Sequence, residues 1–123
     1  MASKVFKLIN EEAYRQKYGL EMIPSENYVS SDVLKALGSI LTNKYSEGFP
    51  GRRYYGGNEV IDKIENYTVD LAKKLFKVPA AFVQSYSGSP ANMAVTMAVC
   101  EPAGDVVMGL SLASGGHLTH GAK

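Results

Sequence analysis

The chain has 123 residues, enough for one domain, and a chain of that size can bury roughly two-thirds of its unfolded surface. Its 46% hydrophobic and 20% charged residues are a globular composition and exclude a disordered or collagen-like chain. The net charge of +1 gives no electrostatic basis for a nucleic-acid partner or an acidic membrane surface, and the single cysteine, Cys100, excludes an internal disulfide and a Cys-only zinc site.

In chain order, Met1-Ala2-Ser3-Lys4 has no apolar h-region behind it, so no secretory signal is expected, and Ala2 stands where myristoylation needs glycine. A reducing, cytoplasmic location fits. Asn10 to Tyr18 is polar with scattered apolar positions and is predicted as a short exposed helix that Gly19 stops. Leu20 to Val29, with Pro24 and Ser25-Glu26-Asn27, reads as extended chain and turn. Ser31 is a fair N-cap and Asp32 suits the positive end of a helix dipole. Val33, Leu34, Leu37, Ile40 and Leu41 then recur at helical spacing, which predicts a helix from about Ser31 to Thr42. Asn43 to Gly57 breaks all periodicity. Asn58 is placed to cap the next helix, whose stripe of Val60, Ile64, Tyr67, Leu71 and Leu75 runs to about Phe76 before Pro79.

Beyond that helix the charge almost stops. Residues 1–77 carry 22 of the 25 charges, and Val78 to Cys100 carries none. Pro79, Gln84, Gly88, Pro90 and Asn92 interrupt this segment too often for a membrane span. The other reading is a segment covered by protein on all sides. Ala81 to Gln84 is a strand candidate, Ser85 to Ser89 a turn, and Pro90 sits in the first turn of a helix over Ala91 to Cys100. Pro102 and Gly104 end it. Asp105 to Leu110 is a second buried strand, and Gly115 and Gly116 open a loop. Strand, helix, strand is a right-handed parallel βαβ unit, hence an α/β fold. A parallel sheet needs cover on both faces and more than two strands. The expectation is an incomplete start of a larger α/β domain, poorly stable or associated when alone.

Several constellations bear on chemistry. Ser87-Gly88-Ser89 follows a strand candidate at a helix start, where free N–H groups and the dipole favour a phosphate; an ordinary capped turn is the other reading. It is neither a dinucleotide-binding fingerprint nor a Walker loop. In the long loop Arg52 and Arg53 suit an anion. Glu47, between Tyr45 and Phe49, suits acid/base work if desolvated. A packed interface loop explains the same residues, and an RNA reading is weaker because the chain has no basic face. His117 and His120 have a spacing that a metal, a stacked flat ligand or a structural role would each fit. Ser25-Glu26-Asn27 reads as a loop cap, and Cys100 as an inert core thiol.

The run Leu41-Thr42-Asn43-Lys44-Tyr45-Ser46-Glu47-Gly48-Phe49-Pro50-Gly51-Arg52-Arg53-Tyr54-Tyr55-Gly56-Gly57 resembles a signature of the serine hydroxymethyltransferase family. So do Ile23-Pro24-Ser25-Glu26-Asn27, Ser87-Gly88-Ser89-Pro90-Ala91-Asn92 and Gly115-Gly116-His117-Leu118-Thr119-His120-Gly121. The resemblance begins at about Glu11 and runs to the last of these motifs. It implies a pyridoxal-phosphate (PLP) enzyme of the aspartate-aminotransferase-like fold. Such an enzyme interconverts serine plus tetrahydrofolate with glycine plus 5,10-methylenetetrahydrofolate through an aldimine of the cofactor. Residues 1–30 would be an N-terminal arm and residues 31–123 the first part of the PLP-binding large domain.

Carried over by position, the resemblance implies that Ser87, Gly88 and Ser89 hold the cofactor phosphate and that His117 stacks on the pyridine ring. Ser25 would touch the substrate carboxylate, and Tyr55 would line the substrate site. Glu47 would be the acid/base near the serine hydroxyl. Tyr45 would reach the phosphate of the neighbouring subunit's cofactor, and Leu112, Gly116 and Leu118 would lie along the folate. The long loop would serve a partner's active site, so a homo-oligomer, dimer or tetramer, is implied. Two departures are peripheral: Ser114 stands where the family has His, and Ala103 looks inserted in a Glu-Pro-Gly-Asp turn. The family's Schiff-base Lys, the Asp that pairs with the pyridine nitrogen and the Arg that grips the carboxylate have no match here, and Lys123 is in no such context. The chain alone is therefore expected to be inactive, its missing part supplied by further sequence. The alternative is a non-catalytic truncated homologue that binds a full-length subunit.

Overall fold

The structure is a computed structural model that describes residues 3–101 and 104–120. Pro102 and Ala103, expected to end a helix and lengthen a turn, lie outside the described residues, as do Lys123 and the last glycine of the His117 motif. The described chain is helical with one small sheet, and it divides into two compact units, Met1–Lys44 and Tyr45–Lys123.

In the first unit, α1 (Lys4–Tyr18) starts where Ser3 Oγ accepts the Val5 N–H at 3.4 Å. It ends where the Gly19 N–H donates to Arg15 O at 2.7 Å. It begins six residues ahead of the expected Asn10, because Val5, Leu8 and Ile9 already lie on one helical face. α2 (Ser31–Leu37) is capped by Ser30, whose Oγ accepts the Val33 N–H at 3.3 Å. It stops at Gly38 instead of running to Thr42. A glycine inside a helix costs about 1 kcal/mol against alanine, and Ser39 then captures the Leu41 N–H at 3.3 Å to start a separate 3-10 turn, Ile40–Asn43.

The second unit opens with a hairpin that the loss of periodicity had concealed. β1 (Gly48–Phe49) pairs antiparallel with β2 (Arg52–Arg53), Gly48 opposite Arg53 and Phe49 opposite Arg52. Pro50 and Gly51 make the turn, with Gly51 at φ 72°, where only glycine is unstrained. α3 (Glu59–Phe76) follows the apolar stripe closely. Its expected side-chain cap is absent: Asn58 turns its amide away, Nδ2 donating to Tyr55 O at 2.8 Å. α4 (Gly88–Val99) starts three residues before the expected Ala91, with Pro90 in its first turn.

Two expectations need correction. Neither Ala81–Gln84 nor Asp105–Leu110 forms a strand, so the parallel βαβ pair is not made among the described residues. Helices close their hydrogen bonds locally, whereas a parallel strand needs neighbours and cover from elsewhere. The second correction concerns the core. No hydrophobic side chain among the described residues is buried; Asn58, 4% exposed, is the one buried residue. The α3 stripe is formed but bare, and the uncharged segment expected to be covered is open, with Phe82 64% and Met97 71% exposed. Cys100 is half-buried, not a core thiol. Among the described residues no helix is long and apolar enough to cross a membrane.

Candidate functional site

The start of α4 presents open backbone at its N-terminal end. Ser87 is extended at the cap position, its carbonyl accepts the Ala91 N–H at 3.3 Å, and its hydroxyl makes no cap hydrogen bond. The N–H groups of the first turn have no carbonyl ahead of them, and the macrodipole places partial positive charge there. A Cβ added at Gly88 would meet nothing within 4 Å, so a ligand has direct access to the backbone.

The glycine loop delivers His117 to this helix end. Leu112–Ser114 form a 3-10 turn closed by Gly115 at φ 93°. The Gly116 N–H donates to Ser111 O at 2.8 Å, so tightly that a Cβ on Gly116 would run into the Leu110 carbonyl. The chain then turns again: the His120 N–H donates to His117 O at 3.3 Å, and the two rings stack 4.3 Å apart with 8° between planes. Thr119 sits between them. Its Oγ1 lies 2.8 Å from His117 Nδ1, 3.1 Å from His120 Nδ1 and 3.3 Å from Ser89 Oγ. Among the described residues no three His, Cys, Asp or Glu gather as a metal site would require.

The hairpin is a second cluster. Tyr45 and Tyr55 meet edge to face at 4.9 Å. Glu47 is exposed, so the desolvation expected of it is not provided by the described residues. Arg53, expected to grip an anion, is consumed internally. Its Nε donates to Asp62 at 2.8 Å, one Nη to Glu65 at 2.6 Å, and the other to Ser46 O and Gly48 O at 2.8 and 2.6 Å. Only 5% of its side chain is exposed. Glu65 and then Asp62 raise its pKa further. The Gly51 N–H, followed by Arg53, holds Asp62 below the usual carboxylate range. Gln84 Nε2 donates to Gly48 O at 3.0 Å and to Glu65 at 2.6 Å, which ties the approach to Ser87 to the hairpin. Arg52 lies over the Phe49 ring, 5.9 Å from its centroid.

Ser25 belongs to the first unit, in a turn where the Glu26 N–H donates to Ile23 O at 3.0 Å. Arg15 grips Glu12 through Nε and Nη2 at 2.8 and 2.7 Å and also donates to Glu21. The Tyr28 hydroxyl donates to Gln16 O at 3.3 Å. The turn is thus held to α1 on both sides, around a cleft of about 310 Å³. Arg15, then Gln16, holds the Glu12 carboxyl down to about 2. Arg15 likewise lowers Glu21, while the hydrogen bond between the Glu26 and Glu21 carboxyls pushes Glu26 up.

The family model described as Serine hydroxymethyltransferase matches residues 1–123. This chain belongs to the serine hydroxymethyltransferase family. It is 59% identical over 119 residues to "Serine hydroxymethyltransferase 1" of Pseudomonas fluorescens (strain Pf0-1), covering 97% of this chain and 29% of that protein. It is 57% identical over 120 residues to the serine hydroxymethyltransferase of Desulfotalea psychrophila, 98% of this chain and 28% of the relative. To that of Metamycoplasma arthritidis it is 61% identical over 116 residues, 94% and 27%. The chain spans less than a third of the length of these curated relatives.

As a serine hydroxymethyltransferase family chain, it distributes its expected residues over distinct places. Ser89 and His117 meet through Thr119, with Ser87 and Gly88 beside Ser89 and with Leu112, Gly116 and Leu118 on the loop that carries His117. Tyr45, Glu47 and Tyr55 share the hairpin loop, and Ser25 stands on its own turn. Sequence reasoning passed over Thr119, Gln84, Asp62 and Glu65. Asp62 and Glu65, three apart on α3, carried the only local signal: a one-faced carboxylate pair that needs a cation.

Proposed function

We propose that this chain supplies the phosphate-binding and ring-stacking residues of a PLP-dependent serine hydroxymethyltransferase, interconverting serine plus tetrahydrofolate with glycine plus 5,10-methylenetetrahydrofolate. The observation that carries this reading is the meeting of Ser89 and His117 through one hydroxyl at a helix N-terminus. The donor set fits the cofactor: unpaired N–H groups and serine hydroxyls for a phosphate, and a flat imidazole beside them for an aromatic ring.

When bound, PLP supplies an electron sink for bonds broken at the amino-acid Cα. This chain's residues bind and orient. Ser87, Gly88 and Ser89 donate to the phosphate, and His117 covers the pyridine ring. Ser25 donates to the substrate carboxylate and Tyr55 lines its pocket. Glu47 holds or moves the proton at the serine hydroxyl as the one-carbon unit leaves for folate. Leu112, Gly116 and Leu118 offer the folate an apolar edge. Tyr45 reaches the phosphate in a neighbouring subunit, which makes the enzyme a homo-oligomer; its proposed location is the cytoplasm. Residues 1–30 act as an arm. From residue 31 the chain enters the large domain, where 81–84 and 105–110 become strands once neighbours pair with them. The anchoring Lys, the Asp for the ring nitrogen and the Arg for the carboxylate come from sequence outside this chain. The bare apolar faces also favour a second reading, a non-catalytic chain that docks on a full-length subunit.

The experiment replaces the 119 matched residues of the Pseudomonas fluorescens relative by this chain. The proposed function expects a yellow protein that converts serine to glycine in a folate-dependent way. It also expects Ser89→Ala and His117→Ala each to weaken cofactor retention. A colourless, inactive hybrid, with this chain binding the intact relative as a separate polypeptide, supports the docking reading.

A further inference from the structure

We propose that Thr119 is a positioning residue whose hydroxyl fixes the His117 ring and couples it to Ser89 at the start of α4; this rests on the cofactor reading above. The Thr119 backbone N–H donates to His117 Nδ1 at 3.2 Å, so that nitrogen carries a lone pair and the neutral ring keeps its proton on Nε2. The hydroxyl stands 2.8 Å from the same Nδ1 and 3.3 Å from Ser89 Oγ. It has one proton to give and two lone pairs to offer. Its proton therefore has His117 Nδ1 and Ser89 Oγ in reach as acceptors, while His120 Nδ1 at 3.1 Å accepts it in one tautomer and donates to the hydroxyl in the other. When the Ser89 proton is engaged on an anion, Ser89 Oγ is free to accept from Thr119. Without an anion, Ser89 is free to donate to Thr119, and the Thr119 proton goes to His117 Nδ1. The His120 ring, stacked at 4.3 Å, covers one face of His117 and leaves the flat ligand the other. Second-shell hydrogen bonds of this kind set an imidazole's tautomer and orientation.

The test uses the hybrid enzyme and measures affinity for pyridoxal phosphate and for phosphate-free pyridoxal, both read from their own absorbance. Thr119→Val removes the hydroxyl and keeps the N–H. It is expected to weaken pyridoxal phosphate about three- to tenfold, the worth of one hydrogen bond, and pyridoxal less. Thr119→Ser should restore the parent value, and valine should have no further effect in a His117→Ala background. Thr119→Ala replaces valine where sedimentation shows a changed assembly. Unchanged affinity, an equal penalty for both probes, or the same loss without His117 overturns the positioning role. A parent hybrid that takes up no pyridoxal phosphate overturns the cofactor reading, and this inference with it.

Discussion

Arg15 holds two carboxyls in the first unit, Glu12 and Glu21, and the arrangement has a pH signature. Glu12 is held down to about 2 by the Arg15 fork and then by Gln16, against about 4.5 when free. A depressed carboxyl contributes stability that is present above its unfolded value and is lost as pH falls through the folded one. The C-terminal half of α1 should therefore keep its structure down to about pH 4.5 and lose support between there and pH 2. A carboxyl-carbon NMR titration should place Glu12 near 2, and Arg15→Gln should return it toward 4.5. Both side chains are solvent-exposed, so added salt should shrink the difference. Glu47 is a different case, with a role proposed for chemistry alone. Glu47→Gln in the complete enzyme is expected to lower folate-dependent serine cleavage about 10²- to 10⁴-fold with cofactor uptake unchanged. Unaffected cleavage would remove Glu47 from the mechanism. The helix start beside Ser87-Gly88-Ser89 was legible because its signal is local. Thr119 was not, because its contact with Ser89 crosses 30 residues of chain.

Among the elements, the hairpin depends on charges that sit on a helix. Arg53 joins two carboxylates of α3 to two carbonyls of its own loop, and Gln84 closes the same network. A planar five-donor fork makes these contacts together; an ammonium does not. Arg53→Lys in the complete enzyme should raise hydrogen exchange in residues 46–54 about tenfold or more and leave the middle of α3 unchanged. Equal exchange would mean the pairing of β1 and β2 holds the loop without the network. Gly51→Ala should cost about 1 kcal/mol from the left-handed backbone alone, since a Cβ there meets open space. This level was partly legible. The α3 stripe appears in the sequence at its helical period, and Gly19 marks the α1 stop. The hairpin was hidden because two-residue strands leave no alternation to detect. The long helix over 31–42 failed because one glycine outweighed five well-spaced apolar residues.

At the scale of the whole molecule, the described residues have secondary structure without a buried apolar interior. α1, α3 and α4 satisfy their backbones within themselves, yet none of their apolar side chains is fully buried. Burial contributes roughly 25 cal/mol per Å², and conformational entropy opposes folding with about 1–2 kcal/mol per residue. A chain that leaves Val60, Tyr67 and Leu75 mostly exposed gains little against that cost. The charge pattern pointed the other way: the 23-residue uncharged stretch was expected to lie under protein on all sides, and among the described residues it is open. Which surfaces cover it was not legible, because covering groups are long-range contacts that leave no periodic trace. By itself the chain should therefore melt broadly, bind a hydrophobic dye and associate as concentration rises. Mixed with a full-length relative it should acquire slow-exchanging amides in α3 and α4 and lose dye binding. Calorimetry beside sedimentation velocity decides the matter: a sharp transition from a species that sediments as a monomer would mean that these helices pack on one another, and that their apolar faces do not await a partner.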